Sequence, residues 1–426
     1  MKVGMFFELQ LPRPWADGDE QRLFQNALEW AEIGDRIGIA CAWAQEHHFL
    51  EEYSHSTAPE VFLAALSQRT KHMRIGHGVT LMAPGYNHPA RIAERIATLD
   101  LVSNGRVEWG TGESSSRIEL EGFKLNYLEK RAMWLESVRE TAKIISSEPY
   151  LGYEGKYFSM PARNVVPKPV QRPHPPMWVA CTNRETMKFA ARLGLGALTF
   201  AFMDATEAKY WVEEYYEIFK SECKPIGRRV NPNIAMLAGV MCHRDRDIAK
   251  ERGIEGQQFF KWALAHYYRQ GVHVPGRTNL WEEFKKITPE PMAGLDGVGT
   301  PEDVRDHFRS LEGAGVDQVI MLQQAGLYKH EHICESLELL GSDVLPEFIA
   351  RDIEAQKRKQ LELEPYIAKA LANVEPMQDT EPQPVESYGT LWEKHGIPQE
   401  QSHAKRAVDS NMLWRVQVGQ VRKSGS

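Results

Sequence analysis

Short apolar and β-branched runs alternate with stretches whose apolar positions recur at helical spacing, from the first residue to about residue 345. The pattern predicts eight strands: Val3–Phe7, Ala40–Ala44, Arg74–Leu81, Arg106–Thr111, Met177–Ala180, Ala197–Phe200, Ile234–Met241 and Gln318–Leu322. Helices fall between them. Pro59 and Pro89 open two, where a first-turn proline lacks an N–H that has no partner anyway. Gly299-Thr300-Pro301-Glu302-Asp303 opens another, with a threonine cap, a proline and acidic first-turn residues. Strict strand–helix alternation is the mark of a parallel α/β fold, and eight units favour a closed barrel over an open sheet of five or six strands.

The expected fold class is therefore α/β, a TIM-type (β/α)8 barrel over residues 1–350 with insertions after strands four and seven. After strand four, Tyr153-Glu154-Gly155-Lys156-Tyr157-Phe158 reads as a hairpin with glycine at the bend. After strand seven, residues 245–298 interrupt the repeat and carry Phe259, Phe260, Trp262, Tyr267, Tyr268 and Trp281. Long insertions on the catalytic face of a barrel often cover the site, so a lid is expected there. Residues 351–426 turn charged, then proline-rich at Glu381–Pro384, and form a partly helical C-terminal extension expected to pack on the barrel or on a partner subunit.

Composition narrows the function. A formal charge of -7, without a long basic run, argues against nucleic acid or an anionic membrane as partner. The apolar start Val3–Phe7 is too short for a membrane span and lacks signal-peptide form. Five scattered cysteines (41, 181, 223, 242, 334) include no CxxC pair, which points to a reduced, cytoplasmic protein without disulfides or thiolate zinc.

Barrel enzymes gather reactive groups at the carboxyl ends of their strands. Strand one ends at Glu8-Leu9, and strand two at Gln45-Glu46-His47-His48-Phe49. Imidazole is the usual proton mover near neutral pH, and Glu46 beside it is positioned to raise its pKa or orient a ring. Two consecutive histidines cannot both point inward from a strand, so one is expected to be reactive and its neighbour structural. Packing histidines remain the plain alternative. Strand five ends at Cys181-Thr182-Asn183-Arg184-Glu185-Thr186, ahead of a helix whose free N–H groups suit an anion. Thr182, Asn183, Arg184 and Thr186 are candidate phosphate ligands, with an ordinary helix cap as the alternative. Gly110-Thr111-Gly112 and Ser114-Ser115-Ser116 read as a loop needing close backbone approach, not a dinucleotide fingerprint. His330-Glu331-His332 resembles half a metal site but falls after the wrong strand, and no metal is expected.

In this order the motifs are specific. Glu46-His47-His48-Phe49, Arg74–Leu81 with His88-Pro89, Gly105–Gly112, the 153–158 hairpin, Pro173–Ala180, Gly299–Glu302 and Gly313–Asp317 together resemble the luciferase-like flavin monooxygenases over about residues 1–345. The resemblance implies a barrel that binds FMN, commonly received reduced from a separate NAD(P)H:flavin reductase. It implies further that O2 adds to the ring as a C4a-peroxyflavin, which oxidises a small, largely hydrophobic organic molecule. A homodimer is expected.

By the same resemblance, His47 matches the catalytic histidine, with Glu46 tuning it. Gly78-Val79, leading to Thr80, matches a strained cis peptide under the flavin ring. Gly112 and Ser114 line the cofactor, and Thr182, Asn183, Arg184 and Thr186 hold its phosphate. An apolar pocket from Phe7, Met82, Phe202, Met203 and lid aromatics would shield the reaction from water. Two departures stand out. Glu113 replaces a phosphate-binding arginine, which calls for compensation by Arg184 or Arg117 or else implies weak flavin binding, and Gly112 replaces the reactive cysteine of the luciferases. The rival readings are a flavin- or deazaflavin-dependent reductase of the same superfamily, a non-enzymatic flavin-binding partner subunit, and a metal-dependent hydrolase.

Overall fold

Hydrogen bonding closes eight parallel strands into a barrel: β1 (Lys2–Phe7), β2 (Cys41–Ala44), β3 (Arg74–Leu81), β4 (Val107–Gly112), β5 (Met177–Cys181), β6 (Gly196–Thr199), β7 (Ile234–Gly239) and β8 (Gln318–Leu322). Each strand pairs with its sequence neighbours, and β8 returns to β1 with Lys2 opposite Gln318 and Met5 opposite Met321. The computed structural model describes residues 1–200, 202–287, 296–376 and 384.

The crossovers carry α1 (Asp19–Ile37), α2 (Pro59–Arg69), α3 (Pro89–Val102), α4 (Arg117–Gly122), α5 (Lys130–Ser146), α6 (Arg184–Arg192) and α7 (Ala205–Glu222). Beyond β7 come α8 (Arg246–Ala265), α9 (Leu280–Phe284) and α10 (Pro301–Gly313), and beyond β8 come α11 (His330–Leu339) and α12 (Leu345–Leu371). The expected cap at Thr300 is present as a reciprocal box with Asp303. The expected hairpin pairs Tyr150–Glu154 with Ser159–Arg163 antiparallel, and Gly155 lies at its bend.

Strand alternation divides the apolar residues into two layers. Val3, Met5 and Phe7 belong to the layer between strands and helices, where Phe7 meets Phe62 edge-on at 5.3 Å. Phe6, Cys41, Trp43, Val79, Leu81, Trp178, Leu198, Leu237, Ile320 and Leu322 form a second cluster, continuous with the aromatics of α8 and α9. Three pocket expectations are thereby corrected. Phe7 and Met82 pack outward, and Phe6 is the inward residue of β1, because both faces of a parallel strand are buried and hydrophobicity alone cannot set its phase. Met203 also joins the outer layer, whereas Phe202 packs against the inner cluster.

Strand β3 departs from regularity where strain was expected, but in another way. Among the described residues every cis peptide precedes a proline, so Gly78–Val79 is trans. The extra length is taken up by a bulge between His77 and Thr80 in the pairing with β4. Glycine is required opposite it: a Cβ on Gly110 would lie 2.0 Å from the His77 carbonyl oxygen, and one on Gly112 would lie 2.6 Å from Val79 Cγ2.

Strand seven ends two residues earlier than expected. Met241–Cys242 instead pairs in parallel with Val298–Gly299. Between these segments the described part of the insertion is mainly helical, with α8, a π-helical turn over His266–Gln270, and α9. The expected boundary at residue 350 falls inside α12, which is held to the barrel by buried Leu345, Phe348 and Leu363 and by Lys359 Nζ on Asp317 Oδ1 at 2.6 Å. The proline-rich run and the basic end of the extension lie outside the described residues, apart from Pro384.

Candidate active site

His47 follows β2 and turns into the barrel mouth, where it is buried. Its Nδ1 lies 3.0 Å from Glu119 Oε1, and its Nε2 lies 3.5 Å from Glu8 Oε1. The backbone fixes its approach, since His47 N donates to the Ser56 carbonyl at 2.9 Å. Tyr268 of the π-helical turn places its hydroxyl 3.4 Å from both ring nitrogens, and the Tyr53 ring stands 5.8 Å from the imidazole centroid.

Two buried carboxylates therefore flank one imidazole. Burial alone would depress the imidazole pKa, but the charges of Glu119 and Glu8 outweigh it and raise His47 to about 9. Burial pushes Glu8 the opposite way from a typical carboxyl, up to about 7, despite the nearby His47. Glu119 is also penalised by burial, yet His47 together with hydrogen bonds from His48 N and Ser114 Oγ holds it below the usual range. Those two bonds measure 2.9 and 2.7 Å. The arrangement favours the protonated form of His47.

Glu46 adds a smaller push to the His47 pKa, as its sequence position suggests, but its hydrogen bonds lie elsewhere. Its carboxylate accepts from Leu81 N at 2.6 Å and from Asn87 Nδ2 at 2.9 Å, and it sits 3.4 Å from His48 Nε2. Neighbours along an extended chain point apart, so Glu46 secures the end of β3 while Glu119, 72 residues away, holds His47. His48 stacks on Tyr86 at 6.0 Å, the structural half of the histidine pair. Ser114, at a left-handed φ of 62°, belongs to the Glu119 network. Thr80 lies with His77, Glu46 and Arg95 around a small hollow facing α3, on the opposite side of β3 from Val79 and Leu81.

At the end of β5, Asn183 caps α6, its Oδ1 accepting from Thr186 N at 3.0 Å. Arg131 Nη2 donates to Thr186 Oγ1 at 3.4 Å and also pairs with Glu113, and Lys130 Nζ lies 3.9 Å from the other Glu113 oxygen. Neither cation expected to compensate Glu113 does so: Arg184 pairs with Glu214 at 2.5 Å, and Arg117 pairs with Glu121. Arg131 and Lys130 take that part, leaving one positive charge in excess beside the helix start. Thr182 and Arg184 are solvent-exposed there.

Sequence reasoning missed Glu119, a carboxylate between Ile118 and Leu120 with no local signature. It also missed Glu52, which is buried and accepts from Arg13 N, Leu280 N and Trp281 N at 2.9, 2.5 and 3.0 Å. Glu52 thus ties the loop after β2 to the start of α9 and anchors the lid. On the outer surface, Glu29, His330 and Cys334 bring ligand atoms within 4.8 Å of one another. The Trp30 indole N–H donates to His330 Nδ1 at 3.0 Å, which leaves the ring proton on Nε2, the atom nearest Glu29 and Cys334.

A closed parallel barrel whose strand ends carry an imidazole between carboxylates and a capped, cationic helix start is the architecture of a barrel enzyme. The luciferase-like monooxygenase family profile matches residues 1–318, and the chain belongs to that family of oxidoreductases. It is 27% identical over 340 residues to the oxygenase component of the flavin-dependent trigonelline monooxygenase of Acinetobacter baylyi, covering 77% of this chain and 91% of that one. The oxygenating constituent of 3,6-diketocamphane monooxygenase from Pseudomonas putida, solved with FMN, shares the fold with a TM-score of 0.65 and 21% identity, over 81% of this chain and 98% of that one. An F420-dependent secondary alcohol dehydrogenase shares it at a TM-score of 0.60 and 16% identity, over 81% and 98%. Among the described residues no helix is long and apolar enough to cross a membrane.

Proposed function

We propose that this chain is the oxygenase component of a two-component flavin monooxygenase. It takes reduced FMN from a separate NAD(P)H:flavin reductase and uses O2 to oxidise a small, largely hydrophobic organic substrate, working in the cytoplasm as a homodimer. The observation that carries this reading is His47, set between Glu119 and Glu8 under a lid tyrosine.

The residues present fit FMN. Asn183, Thr186 and Arg131, with Thr182 beside them, offer the phosphate a helix start with surplus positive charge. At the mouth, Glu8 Oε1 is a buried polar atom without a hydrogen-bond partner, open to a heteroatom-bearing ring. Gly78, Val79 and Gly112 form a close-packed floor on that side. Bound reduced FMN supplies the electrons that activate dioxygen. His47 supplies a proton at Nε2, Glu119 fixes the ring through Nδ1, and Tyr53 and Tyr268 keep water away.

His47→Ala tests the assignment. Product formation should fall at least about a hundredfold while FMN affinity holds, the usual scale for losing a positioned acid. Near-normal turnover overturns the role. A second reading, hydride transfer with a deazaflavin, is favoured by the fold shared with the F420-dependent dehydrogenase. Oxygen consumption coupled to product separates the two.

A further inference from the structure

Three side chains at the barrel mouth stand in a row: Glu119 on α4, His47 after β2, and Glu8 after β1. The first link, Glu119 Oε1 to His47 Nδ1, is a hydrogen bond of 3.0 Å. The second, His47 Nε2 to Glu8 Oε1, is 3.5 Å, and Glu8 Oε1 makes no hydrogen bond although its side chain is 99% buried. Glu8 extends the inward series Gly4, Phe6, Glu8 of β1, so the row ends on a carboxyl at the top of the barrel interior.

We propose that Glu8 is the terminal member of a proton relay, passing protons between His47 Nε2 and the reacting centre inside the barrel. The proposal rests on the monooxygenase reading of the site.

When the relay delivers a proton, the Glu8 O–H bond breaks and an O–H bond forms on the acceptor. The His47 Nε2–H bond then breaks as the Glu8 O–H re-forms, and His47 regains its proton from solvent water at the end of the cycle. Glu119 remains ionised and holds the imidazole in one orientation.

Electrostatics agree with this order. The groups facing Glu8 are His47 and Tyr53 from the loop after β2, Ser54 beside them, Glu119 from α4 and Tyr268 from the lid turn; Glu46 and Tyr86 act on the row from further out. Only His47 among these is a cation, against two neighbouring carboxylates. Burial consequently favours the neutral form of the member farthest from Glu119's hydrogen bonds, and Glu8 exchanges its proton near pH 7 while His47 stays charged to about 9. A carboxyl titrating near the working pH is a better carrier than an imidazolium well above it.

The test uses the full chain with 13C-labelled glutamate side chains and 15N-labelled histidine, as wild type and as Glu8→Gln. A carboxyl resonance absent from the variant should titrate near pH 7, and the His47 midpoint should fall in the variant. In a second arm, the pH profile of product formation with reduced FMN should lose its neutral limb in Glu8→Gln, with a fall of about a hundredfold at neutral pH. A Glu8 resonance ionised throughout about pH 5 to about pH 9, or a variant profile that superimposes on the wild type, overturns the proposal. If wild-type protein does not use reduced FMN, the monooxygenase reading fails, and the titration arm still decides whether Glu8 and His47 share a proton.

Discussion

Replacing Glu119 by glutamine keeps the shape of the side chain and removes the charge that most raises the His47 pKa. The midpoint of His47 stands at about 9 against an ordinary 6.5, which amounts to about 3 kcal/mol in favour of the imidazolium. At the 3.0 Å separation, and an effective dielectric of about 20, one ion pair alone attracts by about 5.5 kcal/mol. Desolvation opposes it, so Glu8 by itself cannot hold the midpoint. Glu119→Gln should lower it by about one to three units. The alkaline limb of activity should move acidward by the same amount, because His47 must be charged to donate. Stability changes in the same sense: a raised imidazole contributes fully below 6.5, and that contribution is lost as the pH climbs through about 9. A pH–rate profile of product formation, set beside an NMR titration of the imidazole, measures both. An unchanged alkaline limb in a folded Glu119→Gln protein refutes the clamp.

Three further outcomes follow from the geometry. Arg131→Ala should weaken FMN binding about tenfold in a fluorescence titration, whereas Arg184→Ala should leave it nearly unchanged, because that guanidinium is exposed and engaged by Glu214. Equal losses in the two variants would contradict the assignment of Arg131. Glu52→Gln loses the charge behind three backbone hydrogen bonds, should cost about 2–4 kcal/mol, and should open residues 266–281 to limited proteolysis; an unaltered melting temperature and cleavage pattern would exclude the anchor. Gly112→Ala should destabilise the fold by about 1–3 kcal/mol in denaturant titration, since its Cβ meets Val79 Cγ2 where the β3 bulge leaves no slack, and a neutral effect would show that β3 yields.

The barrel was legible because each strand is a short apolar run between helix signals, and β3 and β8 have the expected bounds. His47 was legible because a strand end is where a barrel displays chemistry. Its partner was not. Adjacency in sequence suggested Glu46, but alternation along extended chain turns Glu46 toward Leu81 N, and contact across the mouth selects Glu119. The same limit applies to Phe6 and Phe7: both are buried, so pattern alone left the phase of β1 open. At α6 the expected Asn183 and Thr186 do meet, as a cap, while the cation beside them comes from α5, which no spacing rule connects to strand five.

A crystal structure with reduced FMN bound under anaerobic conditions tests the central claim most directly. It should place the isoalloxazine ring in the barrel mouth beside His47, and the phosphate against Asn183, Thr186 and Arg131. FMN bound elsewhere, or a protein that refuses FMN while binding a deazaflavin there, would contradict it.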